Sequence, residues 1–391
     1  VTTMSEKSVF YYLDYAATTP PSDSAIQRMT QVMESYWGNP SSQHGRGALA
    51  RKIVEEAREE VAGWLSCRPS EVIFTSGGTE SNQLALWGTV SGMRAREAYP
   101  RRRQILLSAV EHHSVIACAA ALRQQGYEVQ FLAVDRQGRV SPDGLAQALS
   151  EYTFLVSVQW VNSEVGTVQP IKELARISRE AGALFHTDAV AAASVFDVAA
   201  ACSEVDLLSI SGHKVYGPQG TGILFLRRGT PFRFPFGPGR QERGRRPGTE
   251  NVPGIAGLAE AVRGLRKEYQ LRGVHLEQTR RRLWSALEIR KLGLVRFTPQ
   301  QESHPGILTV GVPGENGDGL VVALSQRGLQ VSSGSACRSG EGQPSPVLLA
   351  MGFPEDAAMG MIRFSFGQEL SSHAVEDIAE RFAATLHAVR V

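Results

Sequence analysis

Short apolar runs alternate with segments of helical periodicity from about residue 70 to residue 227. The runs are EVIFTS, QILLSAV, YEVQFLAV, TFLVSVQWV, ALFHTDAV, VDLLSIS and GILFL. Each is short, rich in β-branched or aromatic residues, and bounded by Gly, Pro or polar turns, which is the pattern of a buried strand. TESNQLALWGTV, SVIACAAALRQQG, PDGLAQALS and IKELARISREAG lie between them and read as helices. Strand, crossover and strand repeated in this way predict an α/β fold with a mostly parallel, seven-stranded sheet covered by helices on both faces. After RRPGTENVPGIAGLAEAVRGL a charged helical pattern continues to about Leu292. Strand-like GILTVGV and MIRFSFG then mix with helix-like GDGLVVALSQRG and a terminal helix near Val375–Val389. The division expected is a large α/β domain over 16–265, with 1–15 and 266–391 forming a smaller α+β domain hinged on the long helix. No internal repeat or low-complexity tract interrupts the pattern.

Composition narrows this picture little. The 391 residues are 42% hydrophobic and 20% charged with a formal net charge of +2, which is ordinary for a globular protein and gives no argument for nucleic acid or an acidic membrane surface. Arginine runs occur at Arg101–Arg103, Arg243–Arg246 and Arg280–Arg282; the first and third read as solvated charge, while the second lies in a glycine-rich segment. No window has the roughly 18 uninterrupted apolar residues of a membrane span, and the N-terminal stretch lacks the basic-then-apolar pattern of a secretory signal. Four scattered cysteines, Cys67, Cys118, Cys202 and Cys337, show no C-x-x-C spacing, so a reducing cytoplasm is expected.

Polar residues cluster where the predicted strands end, the rim at which open α/β sheets bind ligands. FTSGGTES places glycines and a threonine between a strand and a helix start, a geometry suited to an anion and most often a phosphate, or else a plain tight turn. FHTDAV ends a strand on Asp188, which calls for a cationic partner such as a protonated heteroaromatic nitrogen, the alternative being a turn or cap aspartate. VEHHSV offers His112 or His113 as a proton carrier or a flat stacking ring. SGHKVYG ends a strand on Lys214, which reads either as a rim lysine or as an amine that condenses with an aldehyde, a step that needs the neutral form. A phosphate cradle, an acidic partner, a stacker and a lysine at neighbouring strand ends are together the parts that hold pyridoxal 5'-phosphate. Downstream, Cys337 sits among Ser and Gly in SSGSACRSGEG, an exposed loop; Arg338 beside it favours the thiolate. Arg363 inside the apolar MIRFSFG suggests a carboxylate clamp, or else a structural ion pair.

The chain resembles the NifS/IscS group of cysteine desulfurases, pyridoxal-phosphate enzymes of fold type I. The resemblance runs through YLDYAATTP, GNPSSQHGRGA, FTSGGTES, VEHHSV, VNSEVG, HTDAV, SGHKVYGPQGTG, QERGRRPGTENVPG, SSGSAC and IRFSFG. It implies that Lys214 carries the cofactor and shuttles protons, that Cys337 forms a persulfide, and that His112 stacks on the ring and assists proton transfer. Gly78, Thr79, Ser211 and His213 are implied to hold the phosphate, with Thr249 reaching in from the other subunit of a homodimer. Asp188 is implied to pair with the ring nitrogen, Asn162 to lie near the ring oxygen and substrate, and Arg363 to hold the substrate carboxylate. No metal is expected. The implied reaction converts L-cysteine to L-alanine and passes sulfur from Cys337 to an acceptor protein, an iron–sulfur scaffold or a thiolation relay, without direct contact with nucleic acid or membrane. Selenocysteine lysis, another pyridoxal-phosphate chemistry and a non-catalytic sulfur-relay scaffold are the rivals. Two residues depart from the family pattern: Ala191 stands where glutamine is usual, and Arg240 where a glycine is expected, which puts the local backbone in question.

Overall fold

The computed structural model describes residues 10–95, 103–237, 239–334 and 343–390. The chain enters through strand β1 (Tyr11–Tyr12) and helices α1 (Asp23–Ser35) and α2 (Gly45–Leu65). Both helices start on polar caps: Ser22 Oγ accepts the Ala25 N–H, and His44 Nδ1 accepts that of Gly47, satisfying donors that have no partner inside the helix. There follow β2 (Val72–Thr75), α3 (Gly78–Arg94), β3 (Gln104–Ser108), α4 (His113–Gln124), β4 (Glu128–Leu132) and α5 (Pro142–Ala148). The series continues with β5 (Thr153–Ser157), α6 (Ile171–Glu180), β6 (Leu184–Asp188), α7 (Val198–Glu204), β7 (Leu207–Ser211) and β8 (Gly222–Leu226).

Strands β2 to β8 form one sheet in the order β2-β8-β7-β6-β5-β3-β4. β8 runs antiparallel to both its neighbours, and the other pairings are parallel. β2, β3, β5, β7 and β8 are buried along their whole length, so their sequences are continuous apolar runs and do not alternate. Successive side chains still go to opposite faces: Leu106, Val156, Leu208 and Phe225 pack under α2, while Ile105, Leu107, Leu155 and Leu224 pack with α3 and α4. This topology brings the carboxyl ends of β2, β3, β5, β6 and β7 to one rim. β8 begins there, Gly222 lying opposite both Thr75 and Ser211.

Helix α8 (Val252–Ile289) is 38 residues long. Its first part, Val252 to Leu265, enters the core beneath the sheet, and Leu276, Leu283 and Leu287 enter a second one. After it come β9 (Val295–Arg296), β10 (Ile307–Gly311), α9 (Gly317–Gln326), β11 (Leu329–Gln330), α10 (Pro346–Ala350), α11 (Glu355–Met359), β12 (Met361–Ser365) and α12 (Ser372–Val389). β10, α9, β11, β12 and α12 complete that second core, while α10 and α11 pack around Phe297 and Met361 in a cluster of their own. β12, β10 and β9 form an antiparallel sheet, and β1 pairs in parallel with β11. Leu13 thereby joins Leu308, Ile362 and Phe382 in one cluster.

Two sequence expectations change here. Arg280, expected on a solvated face, is buried and donates to Glu277 and Ser303 Oγ, whereas Arg281 stays exposed. Arg240 sits in the right-handed region at φ −103° and ψ −22°, so the backbone there has no need of glycine. The non-glycine residues of this segment that are left-handed are Glu242 and Arg243, at φ 47° and 58°.

Candidate active site

The turn after β2 brings Ser76 and Gly77 to the start of α3. Gly77 has φ 156°, and a Cβ on Gly78 would lie 2.7 Å from Val190 Cγ2. A Cβ on Gly222 would lie 2.6 Å from Gly77 Cα. Bare glycines therefore let the N-terminus of α3 sit against β7 and β8, with first-turn N–H groups and the positive end of a long helix at the cavity. Ser211 Oγ, at the end of β7, is buried beside this turn with no hydrogen-bond partner. His213 contacts Thr18 Oγ1 through Nδ1 at 3.2 Å. Burial, reinforced by Lys214, lowers its pKa to about 4, so its ring is neutral at pH 7.

Gly78, Thr79, Asn82, His112, Asp188, Ser211, His213, Lys214 and Arg363 line a single cavity of about 180 Å³. Lys214 Nζ reaches in from the turn after β7 and donates to the Ala16 and Ala17 carbonyls, the latter at 2.7 Å. Asp188 closes β6 and is 5% exposed. Its Oδ1 accepts the Val190 N–H at 2.9 Å and its Oδ2 the Asn82 Nδ2–H at 2.7 Å. His112 is the cap of α4, with Nδ1 meeting Ser114 N–H at 3.2 Å and Ser114 Oγ at 2.8 Å. Burial lowers its pKa; Asp188 opposes that, and Lys214 and His113 add to it. Of the two histidines considered, His112 is the one that lines this cavity.

The remaining candidates are placed differently. The Asn162 carboxamide does not line this cavity: Oδ1 accepts the N–H groups of Glu164 and Val165, both at 2.9 Å, and Nδ2 donates to Val110 O at 3.1 Å. Gln159, Val161 and Ser163 face the cavity from that segment instead. Thr249 is exposed and lies outside the lining. Arg363 combines both readings of it: it lines the cavity, and its Nη2 donates to Asp14 Oδ1 at 2.8 Å while Nη1 donates to Ser163 O at 2.9 Å. His186, one of the strand-end polar residues, is fully buried between Ser157 Oγ and Ser209 Oγ. Cys337 and Arg338 lie outside the described residues. The other thiols are poor nucleophiles, because burial pushes Cys67 to about 12 and Cys118 to about 11 and raises Cys202 well above its usual range.

Residues 11–378 match the family described as Aminotransferase class-V. The cysteine desulfurase IscS of Dictyoglomus turgidum (strain DSM 6724 / Z-1310) is 37% identical over 97% of this chain and 95% of its own length. The chain belongs to this family, in its cysteine desulfurase branch. Among solved structures, a NifS-like protein superposes with a TM-score of 0.90 at 35% identity, covering 97% of this chain and all of its own. The structure titled SspA in complex with cysteine superposes at 0.78 and 31% identity, over 92% of this chain and 99% of that one. The seven-stranded sheet described above is the fold that this class-V chain shares with those structures.

The lining fits the cofactor that the family implies. A phosphate would meet the Gly77–Thr79 turn and the partnerless Ser211 Oγ, a pyridine N–H would meet the Asp188 carboxylate, and an aldehyde would meet Lys214. Ala191 presents a methyl to the same cavity, so that position offers no hydrogen bond. Among the described residues, no three His, Cys, Asp or Glu side chains gather as a metal site. Sequence reading missed Asn82, Ser114, Gln159 and Asp14. Asn82 had a signal: it stands three residues after Thr79 on a predicted helix, hence on the same face.

Proposed function

We propose that the protein is a pyridoxal-phosphate-dependent cysteine desulfurase, converting L-cysteine and the Cys337 thiol to L-alanine and a Cys337 persulfide. The observation that carries this reading is the convergence of Lys214, Asp188 and the Gly77–Thr79 turn on one cavity that Arg363 also lines. When bound, pyridoxal phosphate supplies an electron-accepting ring and an aldehyde that amines can take up. The protein's own part is to bind, orient and move protons. The α3 N-terminus, Thr79, Ser211 and His213 hold the phosphate, and His213 donates as a neutral ring. Asp188, kept in place by Asn82 and Val190, accepts the ring N–H and so holds a proton at that nitrogen. Lys214 would hold the aldehyde, and its free amine would take the proton from the substrate Cα. His112 covers the ring face and moves a second proton. Arg363, oriented by Asp14, takes the substrate carboxylate through its guanidinium.

Cys337 receives the sulfur atom and passes it to an acceptor protein, an iron–sulfur scaffold or a thiolation relay. We further propose two domains, 16–265 and 1–15 with 266–391, a homodimer to which Thr249 contributes across the interface, and a cytoplasmic location. No described helix is long and apolar enough to cross a membrane.

The test is incubation of the purified protein with L-cysteine while alanine and protein-bound sulfur are quantified. Wild type is expected to show a visible absorbance band, lost in Lys214→Ala, and to form alanine. Cys337→Ala is expected to lose the labelled persulfide. A wild type without the band, or Cys337→Ala that retains full sulfide release, overturns the proposal. Bound cofactor without alanine formation selects the sulfur-relay scaffold instead.

A further inference from the structure

Helix α3 contributes more than its first turn. Asn82, 1% exposed, uses its amide group twice: one N–H donates to Asp188 Oδ2 at 2.7 Å and the other to Ser114 Oγ at 2.9 Å. The Ser114 N–H points at His112 Nδ1 at 3.2 Å, which makes that nitrogen an acceptor, so the Ser114 hydroxyl, 2.8 Å from it, directs its own proton there. The orientation of the carboxamide is decided by this network. Exchanging its oxygen and nitrogen would set an oxygen against the Asp188 carboxylate. A ring nitrogen met by two donors presents a lone pair, so the proton of the neutral His112 ring stands on Nε2.

We propose that Asn82 and Ser114 are positioning residues that set Asp188 and His112 together: one carboxamide aims the carboxylate and, through one hydroxyl, fixes the Nε2–H tautomer of the imidazole. The inference rests on the reading of Asp188 and His112 as the groups that hold and move protons at the cofactor. Every bond in the chain runs in the same sense, from donor to acceptor, outward from Asn82. Buried networks of this kind polarise cooperatively, and breaking one link is felt at the far end. Space filling alone has no such direction. Among the described residues, the charged and titratable groups around His112 are Asp188 and Lys214 lining the same cavity, His113 at the start of α4, and Glu111, which precedes the cap and accepts the Gln159 N–H.

The experiment is nitrogen NMR on protein labelled with [15N]histidine, the His112 signal being assigned by its loss in His112→Gln. Wild type is expected to show the Nε2–H tautomer at neutral pH. Ser114→Ala and Asn82→Ala should each move His112 toward a mixture of tautomers and raise the pH at which it protonates. The double variant should move it no further than Ser114→Ala alone, since Asn82 acts through that hydroxyl. Asn82→Ala should also weaken pyridoxal-phosphate binding by about tenfold, the weight of one hydrogen bond to a charged group, while Ser114→Ala changes it little. If Asn82→Ala does not fold, Ser114→Ala carries the test. A His112 tautomer and titration unchanged in folded Ser114→Ala, alongside a Lys214-dependent visible band, sink this inference and leave the functional reading standing. A wild type without that band sinks the functional reading, whatever the imidazole does.

Discussion

Glu242 offers a measurable handle on the loop that backs the cofactor turn. Arg58 and Glu242 are 3% and 6% exposed and form a two-pronged pair, Nη1 to Oε2 at 2.7 Å and Nη2 to Oε1 at 2.8 Å. Oε2 also accepts the Phe74 N–H at 3.0 Å, two residues before Ser76. Glu242→Ala strands a buried guanidinium, which costs about 3–5 kcal/mol, and a buried N–H, which costs about 1–3 kcal/mol. Glu55 lies 3.1 Å from Arg58 Nε but is 45% exposed, so it recovers part of the first term and the net loss is about 3–4 kcal/mol. The backbone adds a second discriminator. At φ 47° and ψ 38° an L-residue carries strain of about 1 kcal/mol that glycine escapes. Glu242→Gly should therefore be milder than Glu242→Ala by about 1 kcal/mol, the reverse of the order at an ordinary helical position. Replacing both partners, as Arg58→Met with Glu242→Leu, should cost less than Glu242→Ala, because no charge is left uncompensated. Equilibrium urea unfolding gives the totals, and amide exchange at Phe74 isolates the local opening. A Glu242→Ala loss under about 1 kcal/mol, or a glycine variant worse than the alanine one, would refute the reasoning.

Two further perturbations probe the sheet and its rim. Burial lowers the pKa of His186 and of His304 to about 3 from 6.5, so between those pH values the unfolded chain binds more protons than the folded one. Their stabilisation is whole above pH 6.5 and is lost as pH falls toward 3, by up to about 1.4 kcal/mol per pH unit for each ring. Urea midpoints measured from pH 7 to pH 4 should fall, less steeply in His186→Asn, and an unchanged slope in that variant would contradict this account. Gly222→Ala places a Cβ 2.6 Å from both Gly77 Cα and Thr75 Oγ1, so the cofactor turn must shift, and pyridoxal-phosphate affinity should drop by about tenfold or more. Gly264→Ala, with nothing within 4 Å of the added carbon, is the control. Equal affinities in the two variants would count against the cradle.

What could be read from sequence divides along a physical line. Strands buried on both faces advertise themselves as unbroken apolar runs, and a Lys, Asp or His at the end of such a run is conspicuous because burial makes it costly. Lys214, Asp188 and His112 stand out for that reason, Gly78 and Thr79 through the glycine-rich turn that holds them, and all five line one cavity. His186 carries the same signature without reaching that cavity, because two serine hydroxyls from the neighbouring strands satisfy it. Asn162 shows how a carboxamide near a turn serves the backbone N–H groups of Glu164 and Val165 in the protein alone. Ser114 stayed hidden inside a helical pattern, where a buried polar residue looks like any other until its partner on another element is known, and Asn82 offered only its spacing from Thr79. Asp14 is 349 residues from Arg363, and no local pattern announces a pair at that separation.

That distant pair explains why YLDYAATTP accompanies the chemistry although it supplies no proton carrier or nucleophile of its own. Leu13 is buried in the second core, and Asp14 holds Arg363. The Ala16 N–H donates to Ser365 Oγ at 2.8 Å, and the Ala16 and Ala17 carbonyls accept from Lys214 Nζ. Thr18 Oγ1 meets the His213 ring, and the Thr19 N–H donates to His213 O at 2.8 Å. One short segment, which turns at residues 15–17, thus touches, in order, the second core, the guanidinium, the amine and the imidazole. Fully extended chain spans only about 3.3–3.6 Å per residue, so a covalent tether this short fixes how far Arg363 can stand from Lys214. Separating the C-terminal layer from the sheet would pull the Ala16 and Ala17 carbonyls off the amine and Asp14 off the guanidinium together. The placing of the Arg363 guanidinium and of the Lys214 amine is coupled through this backbone, and both depend on residues far from them in sequence.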